Sequence, residues 1–263
     1  MLVDGKTIAA EILAEVAKTV AGGPKGPPRL SAITCAPNFE TQKYLEMKRT
    51  KAASVGVVLN VVELPQGATT EMAAACIRQV AAQSDGIVVQ LPLPPQIDRE
   101  AVLTAVPVSK DPDGFRYGEV PEACLSPVVG AIDEISRRHD VAWEGKQVVV
   151  LGGGRLVGQP AAAYARGRGA MVTVLTRDTY DTAALRPADI IVSGIGQPHF
   201  ITADLVKPGV VIFDAGTSED GGVLVGDVDP AVAAQAALLT PVPGGIGPIT
   251  IAYLLRNLVQ LAR

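Results

Sequence analysis

Gln147-Val148-Val149-Val150-Leu151-Gly152-Gly153-Gly154-Arg155-Leu156-Val157-Gly158-Gln159-Pro160 decides how the second half of this chain folds. Residues 147–151 form a short apolar run of the kind a fully covered strand requires. Glycines then recur as Gly-x-Gly-x-x-x-Gly, and an Ala-rich segment of helical character follows. Missing side chains permit a tight turn and let a phosphate approach backbone N–H groups. The N-terminus of the next helix favours an anion. An ordinary strand–helix turn can use the same glycines. The strand before, the helix after and further strands beyond favour a nucleotide loop. Gly152, Gly153, Gly154, Arg155 and Gly158 are the candidates around a dinucleotide.

Outward from this loop, strands are expected at Met171–Leu175, Ile190–Ser193 and Val210–Asp214. Gly194 and Ile195, directly after the second of these, join the cofactor candidates. The end of the strand at 171–175 should choose between cofactors. Arg177 there would pair with the 2′-phosphate of NADP through charge-assisted hydrogen bonds. Asp178, one residue on, would instead suit the ribose hydroxyls of NAD. Both can also be solvated loop charges. The reading taken is NADP, with NAD as the alternative.

The first half alternates helix and strand. Ile8, Ile12, Val16 and Val20 predict a helix over 4–20, broken by Gly22-Gly23-Pro24. Strands are expected at Leu30–Thr34, Val57–Val62 and Gly86–Gln90. A helix carrying Tyr44 and Lys48 is expected to end near Gly56, and another is expected over Thr69–Gln83. This order predicts a parallel sheet with helices on its faces. Residues 91–127 are rich in Pro, Asp and Gly and read as active-site loops and a crossing, with a short amphipathic stretch at 99–106. A connecting helix over 128–139 and a final helix over Ile246–Leu261 complete the reading.

Composition narrows the class. The chain has 263 residues, a net charge of −4 and 48% hydrophobic residues. It offers no basic footprint for nucleic acid. No run reaches the roughly 18 apolar residues of a membrane span, and the N-terminus does not read as a signal peptide. Three scattered cysteines, Cys35, Cys76 and Cys124, point to free thiols in a reducing cytoplasm. They suggest neither a disulfide scaffold nor a metal site. Only 4% of residues are aromatic, so the core should be aliphatic.

Tyr44 and Lys48 stand four residues apart, on one face of their helix. A ring that can stack on a flat ligand therefore lies beside an amine that can move a proton. Lys48 could equally be one more solvated lysine beside Lys43 and Lys51. Three further segments favour the functional reading: Gln90-Leu91-Pro92-Leu93-Pro94, Lys110-Asp111-Pro112-Asp113-Gly114-Phe115, and Pro241-Val242-Pro243-Gly244-Gly245-Ile246-Gly247-Pro248. Each has a bland rival. Tyr44 can be a packing residue, Gln90 can satisfy backbone groups at a strand end, and Asp113 before glycine is a common turn placement. Gly244 and Gly245 can merely shape a loop. His139 and His199 are assigned no role.

With these motifs and Gly226-Asp227-Val228, the chain resembles the bacterial bifunctional methylenetetrahydrofolate dehydrogenase/methenyltetrahydrofolate cyclohydrolases over nearly its whole length. The resemblance implies two α/β domains with a folate site in the cleft between them. A three-layer catalytic domain with parallel strands would comprise 1–115 plus 243–263, and a Rossmann domain 116–242. It implies that Tyr44 packs on the folate and that Lys48 is the catalytic acid/base. Gln90 would tune Lys48, and Asp113 would bind the pterin. Leu91, Pro92, Pro243, Gly244 and Gly245 would also touch the substrate. A cytoplasmic homodimer acting on one-carbon tetrahydrofolate derivatives is implied. The chemistry would be oxidation of 5,10-methylenetetrahydrofolate to the methenyl cation and hydrolysis of that cation to 10-formyltetrahydrofolate.

The chain departs from the family pattern in places. Gly153-Gly154 stands where a polar pair such as Arg-Ser is usual. Leu175-Thr176-Arg177 replaces the usual His-Ser, and Ser126-Pro127 replaces Thr-Pro. Cys35-Ala36-Pro37-Asn38 lacks the usual glycine. The alternatives are a monofunctional cyclohydrolase or dehydrogenase, a folate-binding protein without turnover, and a dehydrogenase for another substrate.

Overall fold

The computed structural model describes residues 1–24 and 26–263, with the backbone alone at 39 and 40. In chain order the elements are α1 (Gly5–Ala21), β1 (Arg29–Cys35), α2 (Phe39–Ser54), β2 (Val58–Leu64), α3 (Thr70–Ala81), β3 (Gly86–Val89) and α4 (Arg99–Thr104). There follow α5 (Pro127–Arg138), β4 (Gln147–Leu151), α6 (Gly158–Gly167), β5 (Met171–Leu175), β6 (Ile190–Ser193) and β7 (Val211–Asp214). The chain ends with β8 (Ser218–Asp220), β9 (Val223–Val225), β10 (Leu238–Leu239) and α7 (Ile246–Leu261).

By contacts the chain divides into two compact units. One comprises Ala10–Pro127 and Ile251–Arg263, the other Met1–Ala9 and Val128–Thr250. In the first unit a parallel sheet has the order β2-β1-β3. Every residue of β3 is buried, as is all of β1 but its first residue, the signature of a sheet covered on both faces. Ile33, Ile77, Ile87, Val102 and Leu103 lie in its aliphatic core. Side-chain caps set three helix starts: Asn38 accepts from Thr41 N–H, Thr69 from Met72 N–H, and Asp98 from Ala101 N–H.

In the second unit the parallel sheet runs β10-β7-β6-β4-β5. From β4 the chain adds β5 on one side and β6 on the other, so strand order reverses at β4, where doubly wound sheets bind ligands. Its core holds Leu151, Leu185, Ile191, Ile201 and Ile212. Trp143 stacks on Phe213 with ring centroids 5.7 Å apart.

Met1–Ala9 cluster with this second unit, whereas the sequence reading grouped them with the first half. Backbone pairing is the cause: Val3 N–H donates to the Leu239 carbonyl at 3.0 Å, and Leu239 N–H to that of Met1 at 2.9 Å. The N-terminal segment thus extends the sheet edge at β10. Strands β8, β9 and β10 were not foreseen. They have only two or three residues each, too few for a period to register. The strand expected from Val210 starts at Val211, and the amphipathic stretch at 99–106 is helical over Arg99–Thr104.

Candidate active site

In the first unit the candidate residues gather at the C-terminal end of the sheet, the usual ligand-binding edge of a parallel sheet. α2 leaves the end of β1 through Ala36-Pro37-Asn38. Ala36 holds φ 46°, a left-handed conformation glycine adopts more readily. Asn38 caps the helix, its Oδ1 accepting from Thr41 N–H at 2.8 Å. Tyr44 and Lys48 follow on one face.

Lys48 is half-buried. Its Nζ lies 5.3 Å from the centroid of the Tyr44 ring and donates to Gln90 Oε1 at 3.1 Å. Gln90 is one residue beyond β3, and its backbone N–H still reaches the Ile33 carbonyl at 2.8 Å, so the sheet fixes its position. Its side-chain amide donates to the Leu91 carbonyl at 3.2 Å, which turns Oε1 toward the lysine. Burial pushes the Lys48 pKa below its ordinary value, and the Asp113 charge pulls it back. Burial raises Asp113, and Lys48 opposes that rise. The Tyr44 phenol is raised, first by burial and then by Asp113. Lys48, Asp113 and Tyr44 thus form one electrostatically coupled group with Gln90 hydrogen-bonded to the lysine, although Tyr44 keeps 38% of its surface exposed.

The loop carrying Asp113 is tightly held. Asn257 Nδ2 donates to the carbonyls of Pro112 at 2.9 Å and Leu125 at 2.8 Å. Gly114 has φ 61°, and a Cβ there would lie 2.5 Å from the Cys124 carbonyl oxygen. Asp111, 2% exposed, accepts from Phe115 N–H at 2.7 Å. Burial, and then the Asp113 charge, push its pKa up to about 7. Leu91 and Pro92 line an open groove of about 610 Å³ with Leu93, Pro94 and Ile97. The Leu91–Pro92 and Val242–Pro243 peptides are cis. Pro243, Gly244 and Gly245 belong to the other unit, where Gly245 N–H donates to the Pro241 carbonyl at 2.7 Å.

In the second unit the glycine loop leaves β4 with Gly152 at φ 96°. Gly152 N–H donates to the Leu175 carbonyl at 2.8 Å. A Cβ on Gly158 would sit 1.8 Å from the Gly152 oxygen, and one on Gly153 would lie 3.2 Å from Thr176 Cγ2. Nothing lies within 4 Å of a Cβ built on Gly154. The loop is thus open at Gly154, beside the N-terminus of α6, which suits a dinucleotide's phosphates. Arg155 Nη1 lies 3.5 Å from Gln159 Oε1. Arg177 is exposed beyond β5, one residue after Thr176, and Asp178 beside it is exposed too. Ile195 Cγ2 approaches the Gly152 Cβ position to 3.2 Å, so Gly194 and Ile195 border the same loop.

Two residues of this unit escaped the sequence reading. Asp227 is fully buried, and its carboxylate accepts from Ser193 Oγ at 2.6 Å, Ile195 N–H at 2.9 Å and Gln197 N–H at 2.8 Å. Asp214 accepts from the N–H groups of Gly216, Asp227 and Val228. Burial, and then the Asp227 charge, push the Asp214 pKa up to about 6. The only sequence signal was the Gly226-Asp227-Val228 motif, which carried no role. Among the described residues no cluster of His, Cys, Asp or Glu could hold a metal ion, and no helix is long and apolar enough to cross a membrane.

Known proteins share both halves of this arrangement. Residues 3–113 match the tetrahydrofolate dehydrogenase/cyclohydrolase catalytic domain, and residues 127–263 match the NAD(P)-binding domain of the same family. The bifunctional protein FolD of Lacticaseibacillus casei is 36% identical over 99% of this chain and 96% of its own. A FolD methylenetetrahydrofolate dehydrogenase/cyclohydrolase from Campylobacter jejuni superposes with TM-score 0.94 at 31% identity, covering 100% of this chain and 98% of that one. The Trypanosoma brucei methylenetetrahydrofolate dehydrogenase-cyclohydrolase, solved with NADP and an inhibitor, gives TM-score 0.91 at 35% identity over 100% and 97% of the two chains. The chain belongs to the tetrahydrofolate dehydrogenase/cyclohydrolase family.

Proposed function

We propose that the Tyr44, Lys48, Gln90 and Asp113 group carries the folate chemistry of a bifunctional enzyme. The enzyme oxidises 5,10-methylenetetrahydrofolate to the 5,10-methenyl cation with NADP, then hydrolyses that cation to 10-formyltetrahydrofolate. The observation that carries this reading is the 3.1 Å contact of a desolvated Lys48 amine with Gln90 Oε1, beside the Tyr44 ring.

Hydrolysis needs a group that takes a proton and returns one. Water adds to the methenyl carbon while the neutral Lys48 amine accepts its proton. One carbon–nitrogen bond of the adduct then breaks, and the Lys48 ammonium protonates the departing nitrogen. Burial favours the neutral amine, and a cationic substrate reinforces this. Gln90 orients the amine through Oε1. Tyr44 offers its ring to the flat pterin, Asp113 its carboxylate to the pterin's donors, and Leu91 and Pro92 an apolar wall.

NADP, when bound, supplies the hydride acceptor for the oxidation. Gly152, Gly153, Gly154 and Gly158 with the N-terminus of α6 would hold its pyrophosphate, with Arg155, Gly194 and Ile195 alongside. Arg177 would pair with the 2′-phosphate. On this reading residues 1–115 plus 243–263, with Pro243, Gly244 and Gly245, serve the folate, and 116–242 serve the dinucleotide. Family resemblance supports a cytoplasmic homodimer.

The test supplies purified protein with methylenetetrahydrofolate and NADP or NAD, following reduced nicotinamide and methenyl absorbance. NADP reduction, converted to an NAD preference in Arg177→Ala, is expected. Reduction of neither cofactor defeats the dehydrogenase assignment. Lys48→Met protein given preformed methenyltetrahydrofolate should lose catalysed hydrolysis, and undiminished hydrolysis removes Lys48 from the mechanism.

A further inference from the structure

We propose that Asp227 is a positioning residue for the dinucleotide site, its carboxylate setting the path of residues 194–197 against the glycine loop. The proposal rests on the assignment of that loop, with Gly194 and Ile195, to the cofactor.

A fully buried carboxylate must have its oxygens occupied. Asp227 uses Oδ2 for Ser193 Oγ and Ile195 N–H, and Oδ1 for Gln197 N–H. Three donors over five residues fix the chain as it leaves β6. Bonds to a charged acceptor are the strong ones, so this loop is held more firmly than its lack of regular structure suggests.

The carboxylate is itself held from behind. Asp214 ends β7 directly beside Ser193 in the ladder. Its Oδ1 accepts from Asp227 N–H at 3.2 Å and Gly216 N–H at 2.9 Å, and its Oδ2 from Val228 N–H at 3.0 Å. Close approach leaves no room for side chains at two neighbours. A Cβ on Gly216 would lie 2.2 Å from Asp227 Cγ, and one on Gly226 would lie 2.1 Å from Asp214 Oδ2. Both glycines thus let the two carboxylates pack directly against the backbone.

What the clamp positions faces the cofactor loop. A Cβ on Gly194 would meet Val157 Cγ1 at 2.6 Å, and Ile195 Cγ2 reaches the Gly152 Cβ position at 3.2 Å. Moving residues 194–197 would push on Gly152 and Val157, or leave a gap beside them. The two carboxylates lie at the C-terminal ends of β6 and β7, on the edge where doubly wound sheets bind their ligands. A brace needed for stability alone would not have to be anchored there.

Asp227→Asn retains the shape but offers an NH2 group to donors, so one N–H of the loop loses its acceptor. NADP affinity, read by titration calorimetry, should fall about tenfold, and the KM for NADP should rise alike. Both losses should exceed any loss in hydrolysis of preformed methenyltetrahydrofolate by about tenfold. Ser193→Ala, which spares both N–H bonds, should change NADP affinity less than threefold. Equal losses of NADP binding and hydrolysis would show a structural brace only and overturn the proposal, as would unchanged NADP affinity. If Asp227→Asn does not fold, amide exchange in the native protein decides. Exchange over residues 194–197 should slow on adding NADP, and an unchanged rate overturns the proposal. Native protein that binds neither NADP nor NAD would instead refute the cofactor assignment beneath it.

Discussion

Replacing Gln90 by Glu changes one atom type at the centre of the proposed chemistry and leaves the shape intact. In the native protein a neutral amide oxygen stands 3.1 Å from Lys48 Nζ. A carboxylate oxygen there would attract the ammonium by about 5 kcal/mol at an effective dielectric of ~20. Only part of that survives. The site is half open to solvent, and the new carboxylate is itself desolvated. A net of about 2 kcal/mol is a reasonable working value, within the lower range for close charge pairs. It would raise the lysine pKa by about 1.5 and cut the neutral amine about 30-fold at a pH below that pKa. Hydrolysis of preformed methenyltetrahydrofolate should therefore slow by about that factor wherever the native amine is mostly protonated, and by less at higher pH. Its pH–rate profile should move to higher pH by more than one unit, with activity partly restored in alkali. Stopped-flow absorbance across pH 6–10 measures both. A profile for Gln90→Glu that overlays the native one would refute the claim that Lys48 works as a neutral amine tuned by residue 90.

Other outcomes follow from single positions. Gly158→Ala should abolish NADP binding or folding, because its Cβ would lie 1.8 Å from the Gly152 oxygen; Gly154→Ala meets nothing within 4 Å and should keep a stable fold by thermal melting. Asp111 keeps its proton to about pH 7 in the fold but releases it near 3.8 when unfolded. The native state then binds more protons between those values, so stability falls as pH rises from about 4 to 7 and levels off above. The ceiling is about 4 kcal/mol. Asp111→Asn should flatten that slope in urea titrations, and parallel slopes would contradict the burial argument. Ala36 at φ 46° carries a left-handed cost of about 1–2 kcal/mol, against about 0.4–1 kcal/mol of added unfolded-state entropy for glycine. Ala36→Gly should therefore be neutral to mildly stabilising in urea unfolding and Ala36→Val destabilising; the reverse order would exclude the strained turn.

Local order announced most of the framework. Strands β4, β5 and β6 and helix α7 fall on the expected residues, because each is a compact apolar run bounded by glycine, proline or charge. The pairing of Tyr44 with Lys48 was equally legible, since helical periodicity alone puts them on one face. Short edge strands were not, because β10 exists only through its pairing with β7 and the N-terminal segment.

The chain's own order of residues determined the alternation of helices and parallel strands, the glycine turn after β4, and the motifs that mark its family. These are short-range properties, set by side-chain size, branching and backbone freedom over a few residues. Tertiary structure alone decided that Gln90 Oε1 meets the Lys48 amine across 42 residues of chain and that burial lowers that amine's pKa. It alone brought Asp227 to the backbone of residues 195 and 197. Hydrogen bonds and desolvation depend on which groups meet in space, and that is settled only when the sheets have paired and their faces are covered.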